Sequence, residues 1–372
     1  MKSKLLFVLI SLFSIYLSAQ KRFCDTIPFR NDLGLIIVPI QFNGQEKNFI
    51  FDTGATHSIG YSWVKDELKT TKKTLVITSS SKSKFRLRYY KSDTVQLASA
   101  KITKHRILGA KDSEIFSCYE VDGVLGMDII SHFNWLINYK DQYLVMFDSD
   151  FFPQGIDHNM YAIDFKYQDK RPLAFFNLLG KEVKFLVDTG ATNSDIHIGY
   201  KNVIKNLNAN TKKEIYSTFF DFNGILNTTK SITIKLPEIS SKSLKLSPIV
   251  DFSEKSNKIG NSSWQDNSVF MSTKNNKLYC SVNSIDESRE SYGCFFIFDN
   301  KKMVTAKVIV GSKAWEEGVR RGREVLKINE LQFSDFCTIH KFQREIAKQK
   351  NKLKVTLDDG KTITLNQELL FK

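Results

Sequence analysis

Two segments of this chain, NGQEKNFIFDTGATHS (residues 43–58) and LGKEVKFLVDTGATNS (residues 179–194), align without a gap. Gly44 pairs with Gly180, Glu46 with Glu182, Phe49 with Phe185 and Asp52 with Asp188, each 136 positions apart. The likeness returns downstream. VDGVLGMDII carries Leu125-Gly126 and SNKIGNSSW carries Ile259-Gly260. Fourteen residues after each glycine stands a lysine, Lys140 or Lys274, and then Leu144 or Leu278 at one shared offset. From aspartate to glycine the spacing is 74 residues in one half and 72 in the other. Two separated anchors in one order describe a duplicated fold. The period is too long for a solenoid and suits two homologous lobes.

Each half reads as short strands. IIVPIQF and KNFIFD flank Asn43-Gly44, a strong hairpin signal. LVITSSSKSKFRLRYY (75–90) predicts two strands around a Ser-rich tip, and WLINYKDQYLVMF (135–147) a hairpin turning at Lys140-Asp141. NGILNTTKSITIKL and KLYCSV take similar places in the second half, and GMDIISHF (126–133) predicts one short helix. The expected class is mainly β, with small β-barrels. In both halves an apolar strand, Ile50-Phe51 or Leu186-Val187, delivers a carboxylate to a turn, where burial is costly.

The pattern of two apolar residues, Asp-Thr-Gly-Ala-Thr, then two further apolar residues and Gly (Val124-Leu125-Gly126) resembles retropepsin-like and pepsin-like aspartic proteases of the exported bacterial kind. It covers roughly residues 28–282. The resemblance implies two retropepsin-like β-barrel lobes, a catalytic dyad of Asp52 and Asp188, and a polypeptide substrate in the cleft between them. It gives Thr53 and Thr189 cross-bonds beneath the dyad. Gly54 and Gly190 let backbone N–H groups approach the carboxylates, and Gly126 and Gly260 are the glycines of the second motif. Two close carboxylates sharing one proton supply both a base for water and an acid for the carbonyl. Pepsin-like enzymes often carry Ser where this chain has Ala55 and Ala191. A donor there would favour the charged carboxylate, so its absence predicts an optimum nearer neutral. The second half departs from the pattern at Lys258, where the first has Val124, and NSSWQDNSVF replaces MDIISHFNWL. The flap tip falls near Ser79–Lys84, with Tyr89 and Tyr90 either lining the cleft or serving as strand aromatics.

After about residue 290 the repeat ends. VTAKVIVGSKAWEEGVRRGREVLKINEL (304–331) resembles a PDZ domain, with Gly311-Ser312, Ala314, Gly318-Val319 and Gly322 as matching elements. Ser312 caps a helix AWEEG that Gly318 ends. CTIHKFQREIAKQ reads as an amphipathic helix, and KLKVTLDDGKTITL as a hairpin at Asp359-Gly360. Lys313 and Arg323 depart from the usual Pro and Asp. The resemblance implies a peptide C-terminus bound near Tyr292-Gly293-Cys294-Phe295 as an added strand, or else a purely structural domain. The three Arg of GVRRGREV are expected to face water.

The boundaries are a signal peptide at 1–19, lobes at 20–150 and 151–285, and the PDZ-like domain at 290–372. Lys2 and Lys4, the apolar run Leu5–Leu17 and Ser18-Ala19 follow the grammar of a secretory signal. The run is too short for a spanning helix, and no later run could span. A periplasmic or secreted monomer is therefore expected, rather than a retained anchor, a lipid-anchored Cys24 or a lobe-swapped dimer. The net charge of +14 comes from scattered Lys, which indicates a solvated surface and no nucleic-acid partner. Five Cys in an exported chain cannot all pair internally, and Cys280–Cys294 is the most local candidate pair. With no Cys-x-x-Cys and no His cluster, neither a metal site, a cofactor nor a thiol catalyst is called for. The expected function is an aspartic-type endopeptidase. The alternative is a catalytically inactive peptide-binding protein of the same folds.

Overall fold

The structure is a computed structural model that describes residues 24–79, 83–204, 212–219, 227–254 and 257–371. The expected leader at 1–19, the centre of the Ser-rich tip at 80–82 and the start of NGILNTTK lie outside the described residues. Among those residues no helix is long and apolar enough to cross a membrane.

The chain is mainly β. In the first half, Leu35–Phe42 and Gln45–Phe51 pair antiparallel around Asn43-Gly44. Both turn residues have positive φ, 50° and 86°, as a two-residue hairpin of this twist requires. Lys69–Thr78 and Lys84–Lys91 form the long hairpin, and Phe133–Asn138 pairs with Tyr143–Asp148 across the Lys140-Asp141 turn. GMDIISHF supplies a single helical turn, Met127–Ile130.

The second half repeats the register. Gln45–Phe51 runs parallel to Gly123–Leu125, with Phe51 beside Leu125. Lys181–Val187 likewise runs parallel to Lys258–Ile259, with Val187 beside Ile259. The halves join where Phe133–Asn138 meets Ser268–Ser272 antiparallel. There Leu136 faces Phe270, flanked by Trp135 on Met271 and Ile137 on Val269. A shared core runs through this seam and includes Phe51, Trp135, Phe165, Phe176, Phe185 and Trp264, all fully buried. Each such side chain contributes roughly 1.5–3 kcal/mol of burial energy.

The first-half helix Met127–Ile130 has no α-helical counterpart. Asn261–Trp264 forms a 3-10 turn there, and all four residues are buried despite three being polar. The side chains of Asn261 and Ser263 find partners, while the Ser262 hydroxyl is buried without one among the described residues. Asn261 Nδ2 donates to the carbonyls of Gly34 (3.0 Å) and Thr189 (2.8 Å), and Tyr139 Oη donates to Asn261 Oδ1 (3.0 Å). Hydrogen bonding therefore replaces the apolar packing that the sequence lacks.

Residues 292–365 close around a separate core that includes Phe296, Val308, Ala314, Ile339 and Val355. Ser312 Oγ accepts from Trp315 N (3.2 Å) to start the turn Lys313–Glu316, and Gly318 ends it at φ 94°. The longer helix spans Phe336–Lys348, capped by Asp335. Leu353–Leu357 and Thr362–Leu365 form the expected hairpin. Of the three arginines expected to face water, Arg320 and Arg321 are exposed and Arg323 is half-buried, and two of them also have partners. Arg323 reaches Asp358 (2.7 Å) and Asp359 (2.6 Å), and Arg320 lies 3.7 Å over the Trp315 ring.

This region is fastened to both halves. Cys118 and Cys337 form a disulfide across 219 residues, and Tyr119 Oη lies 2.7 Å from His340 Nδ1. Ile297, Ala306 and Phe336 enter the first-half cluster of Ile50, Ile59, Leu108 and Val124. On the other side, Lys212–Phe219 pairs antiparallel with Lys302–Ile309. The expected Cys280–Cys294 pair is not formed. Both thiols are free and buried, Cys280 in the seam core and Cys294 in the C-terminal core. Sequence proximity pointed to that pair, but the fold places the two in different cores.

Candidate active site

The site is built from two copies of one backbone arrangement. Asp52 N donates to Leu125 O (2.9 Å) and Asp188 N to Ile259 O (3.0 Å), so each aspartate continues its strand against the second-motif strand. Gly126 N donates to Ser58 Oγ (3.0 Å) and Gly260 N to Ser194 Oγ (2.9 Å). Met127 N reaches Ala55 O and Asn261 N reaches Ala191 O, at 2.8 and 2.9 Å. The duplicated sequence therefore has a duplicated hydrogen-bond frame. Gly126 and Gly260 permit it by closeness: a Cβ on Gly126 would lie 2.5 Å from the His57 backbone, and one on Gly260 2.5 Å from Asn193 O.

The two frames meet through their threonines. Thr53 N donates to Thr189 Oγ1 (3.0 Å), and Thr189 N donates to Thr53 Oγ1 (3.1 Å). Each hydroxyl also donates across the seam, Thr53 to Val187 O (2.6 Å) and Thr189 to Phe51 O (2.7 Å). Both threonines are fully buried, and their two N–H groups and two hydroxyls are satisfied within the crossing, away from water.

Above the crossing the carboxylates face one another. Asp52 Oδ1 accepts from the N–H groups of Gly54 (2.7 Å) and Ala55 (3.0 Å), and Asp188 Oδ1 from that of Gly190 (3.1 Å). Each glycine lies against the other half's acid. A Cβ on Gly54 would sit 2.5 Å from Asp188 Oδ1, and one on Gly190 2.1 Å from Asp52 Cγ. Burial, and next the charge of Asp188 with a hydrogen bond to it, push Asp52 well above the usual carboxylate range. The Gly54 and Ala55 donors pull the other way and lose. A carboxyl whose proton is held more firmly by burial and by an acid neighbour can serve as a proton donor.

The sequence did not single out the supports outside the motif. Ser58 Oγ donates to Asp128 Oδ1 (2.7 Å), whose carboxylate also lies 3.4 Å from His105 Nε2. In the second half Ser194 Oγ instead meets Ser263 Oγ (2.8 Å). The repeat alignment already paired Ser58 with Ser194, and that was the available signal. Asp195, 3.2 Å from Lys258, had no local signal at all. Adjacent strand residues separate the two tyrosines. Tyr90 is in the core, whereas Tyr89 is half-buried with its ring 6.2 Å from that of His57.

Near the C-terminal domain's expected peptide edge, the Gln343 amide is in place. It accepts from Phe296 N (2.9 Å) and donates to Phe296 O (2.7 Å). Those are the backbone groups an added strand would use.

No curated protein matches the chain. Residues 38–129, the stretch that carries Asp52 and Gly126, match the model of an aspartyl protease family, and that match supports a protease function.

Proposed function

We propose that the chain is an exported aspartic endopeptidase with two homologous lobes and a PDZ-like C-terminal domain, and that Asp52 and Asp188 form its dyad. The carrying observation is the reciprocal placement of the acids: each touches the other half's glycine and is hydrogen-bonded by its own. An extended polypeptide lies over them. The ionised carboxylate takes a proton from water as the new C–O bond forms, and the protonated one gives its proton to the carbonyl oxygen. The resulting diol collapses with a proton passing to nitrogen, and the C–N bond breaks. Two acids and one mobile proton balance this cycle without a covalent enzyme intermediate.

The disulfide between Cys118 and Cys337 supports an oxidising compartment and hence export. The C-terminal domain acts in this reading as a brace, because Gln343 occupies the edge that a ligand strand would take. The test is Asp52→Asn with a complex peptide library. Cleavage is abolished while peptide binding remains. Undiminished cleavage contradicts the dyad.

A further inference from the structure

The two halves differ at one row of side chains beside the acids. In the first half the row crosses Ile50, Val124, Ile59, Leu108 and Tyr89 on neighbouring strands. The first four are buried and pack under the C-terminal domain. The corresponding second-half row runs Leu186, Lys258, Asp195, Asp251 and Thr233. An apolar pair, Val124 on Ile59, has become an ion pair, Lys258 on Asp195, in the same cross-strand register.

The pair is well made. Lys258 Nζ lies 3.2 Å from Asp195 Oδ2, with side-chain exposures of only 23% and 21%. Lys258 is one residue before Ile259, whose carbonyl accepts from Asp188 N. The charged groups facing Lys258 are Asp195, Asp188 and Asp251, in that order of strength. Asp251 is held by the Thr233 hydroxyl and faces Lys307 of the C-terminal domain. Asp188 itself faces Asp52, Lys258 and, more weakly, Asp195. Among the described residues, the charge acting on Asp52 is that of Asp188. Among these residues, the cation therefore stands on the Asp188 side of the dyad.

We propose that Lys258, oriented by Asp195, is a positioning residue that assigns the dyad's proton: Asp188 is the ionised base that takes the proton from water, and Asp52 is the acid that protonates the carbonyl. The inference rests on the dyad reading above and deepens it. A symmetric pair would share its proton evenly, whereas a cation beside one member favours the state in which that member is the anion. The cation also lowers the cost of each ionisation of the pair, so both limbs of the pH profile should lie lower than in an enzyme lacking it.

The test transplants the first-half pair into the second half, Lys258→Val with Asp195→Ile. An apolar pair already fits this register, and replacing a buried ion pair with packed apolar residues is commonly tolerated. Lys258→Met serves if the double variant does not fold, and Lys258→Arg keeps the charge. Two readouts are followed across pH: kcat/KM on a cleavable peptide, and the affinity for pepstatin, which needs no turnover. Lys258→Met moves both limbs upward by roughly one pH unit, with folding retained. The double variant moves them the same way by less, because the weaker Asp195 anion leaves together with the cation, and Lys258→Arg stays near the parent profile. Profiles that stay in place in a folded charge-deleted variant overturn the positioning role and leave the dyad standing. If the parent chain neither cleaves peptide nor binds pepstatin, the dyad reading fails first and the inference falls with it.

Discussion

Gly190 and Asp52 touch across the seam between the two halves: a methyl on the glycine would lie 2.1 Å from the carboxyl carbon. No flexible side-chain end is available to yield, because Asp52 is fixed by Gly54 N and Ala55 N. Gly190→Ala should therefore push the acids apart and break proton sharing. We expect kcat to fall at least roughly 100-fold, the lower bound for losing general acid–base chemistry. The buried threonine crossing should keep the fold intact. Steady-state kinetics beside circular dichroism checks both statements.

Asp52 should cost the fold stability at neutral pH. Its native value lies above the ordinary 3.8. Between those two values the native state holds more protons than the unfolded state, so stability falls as pH rises through the window. Asp52→Asn removes that slope. Its Tm should exceed the parent's at neutral pH, and the gap should close as pH falls toward the ordinary carboxylate value.

His340 should act with the opposite sign. Burial first, and then Arg344, hold it down to about 3 from 6.5, neutral beside Tyr119. Over that window the unfolded state binds the extra proton, so this group's contribution is full above 6.5 and is lost as pH falls toward 3. His340→Gln keeps an acceptor for the Tyr119 hydroxyl and should flatten the acid-side loss of Tm. Because Asp52 and His340 oppose each other in one window, the parent curve alone will look shallow. The two single variants separate them.

The disulfide ties the C-terminal domain to the first half. Cys118→Ser with Cys337→Ser should cost about 2–5 kcal/mol, read as a lower denaturant midpoint. Hydrogen exchange should rise most along Phe336–Lys348. Uniform loss of protection over the whole chain would mean that the bridge fixes more than this junction.

Much of the site was legible because it depends on local chemistry copied twice. The Asp-Thr-Gly segments place acid, threonine and glycine at fixed backbone offsets, so aligning Asp52 with Asp188 also aligned the frame from Ser58 to Ser194. The Asn43-Gly44 turn and the Ser312 cap were legible for the same reason, since a few adjacent residues set their geometry. The Cys118–Cys337 bridge was not, because its partners are brought together by the docking of Phe336–Lys348 on the first half. Lys258 stood out as a departure, but its partner Asp195 belongs to another strand and emerges only from the register. Gln343 looked like one more polar residue on an amphipathic helix. Only the packing of that helix against Cys294–Asp299 places its amide on Phe296.

The most direct measurement is the pH dependence of peptide cleavage by the parent chain, Asp52→Asn and Asp188→Asn. Two acids sharing a proton predict a two-limbed profile in the parent chain, and the loss of at least roughly 100-fold of the rate in either variant. Cleavage that survives both substitutions with an unchanged pH profile would show that the chemistry lies elsewhere and would contradict the account.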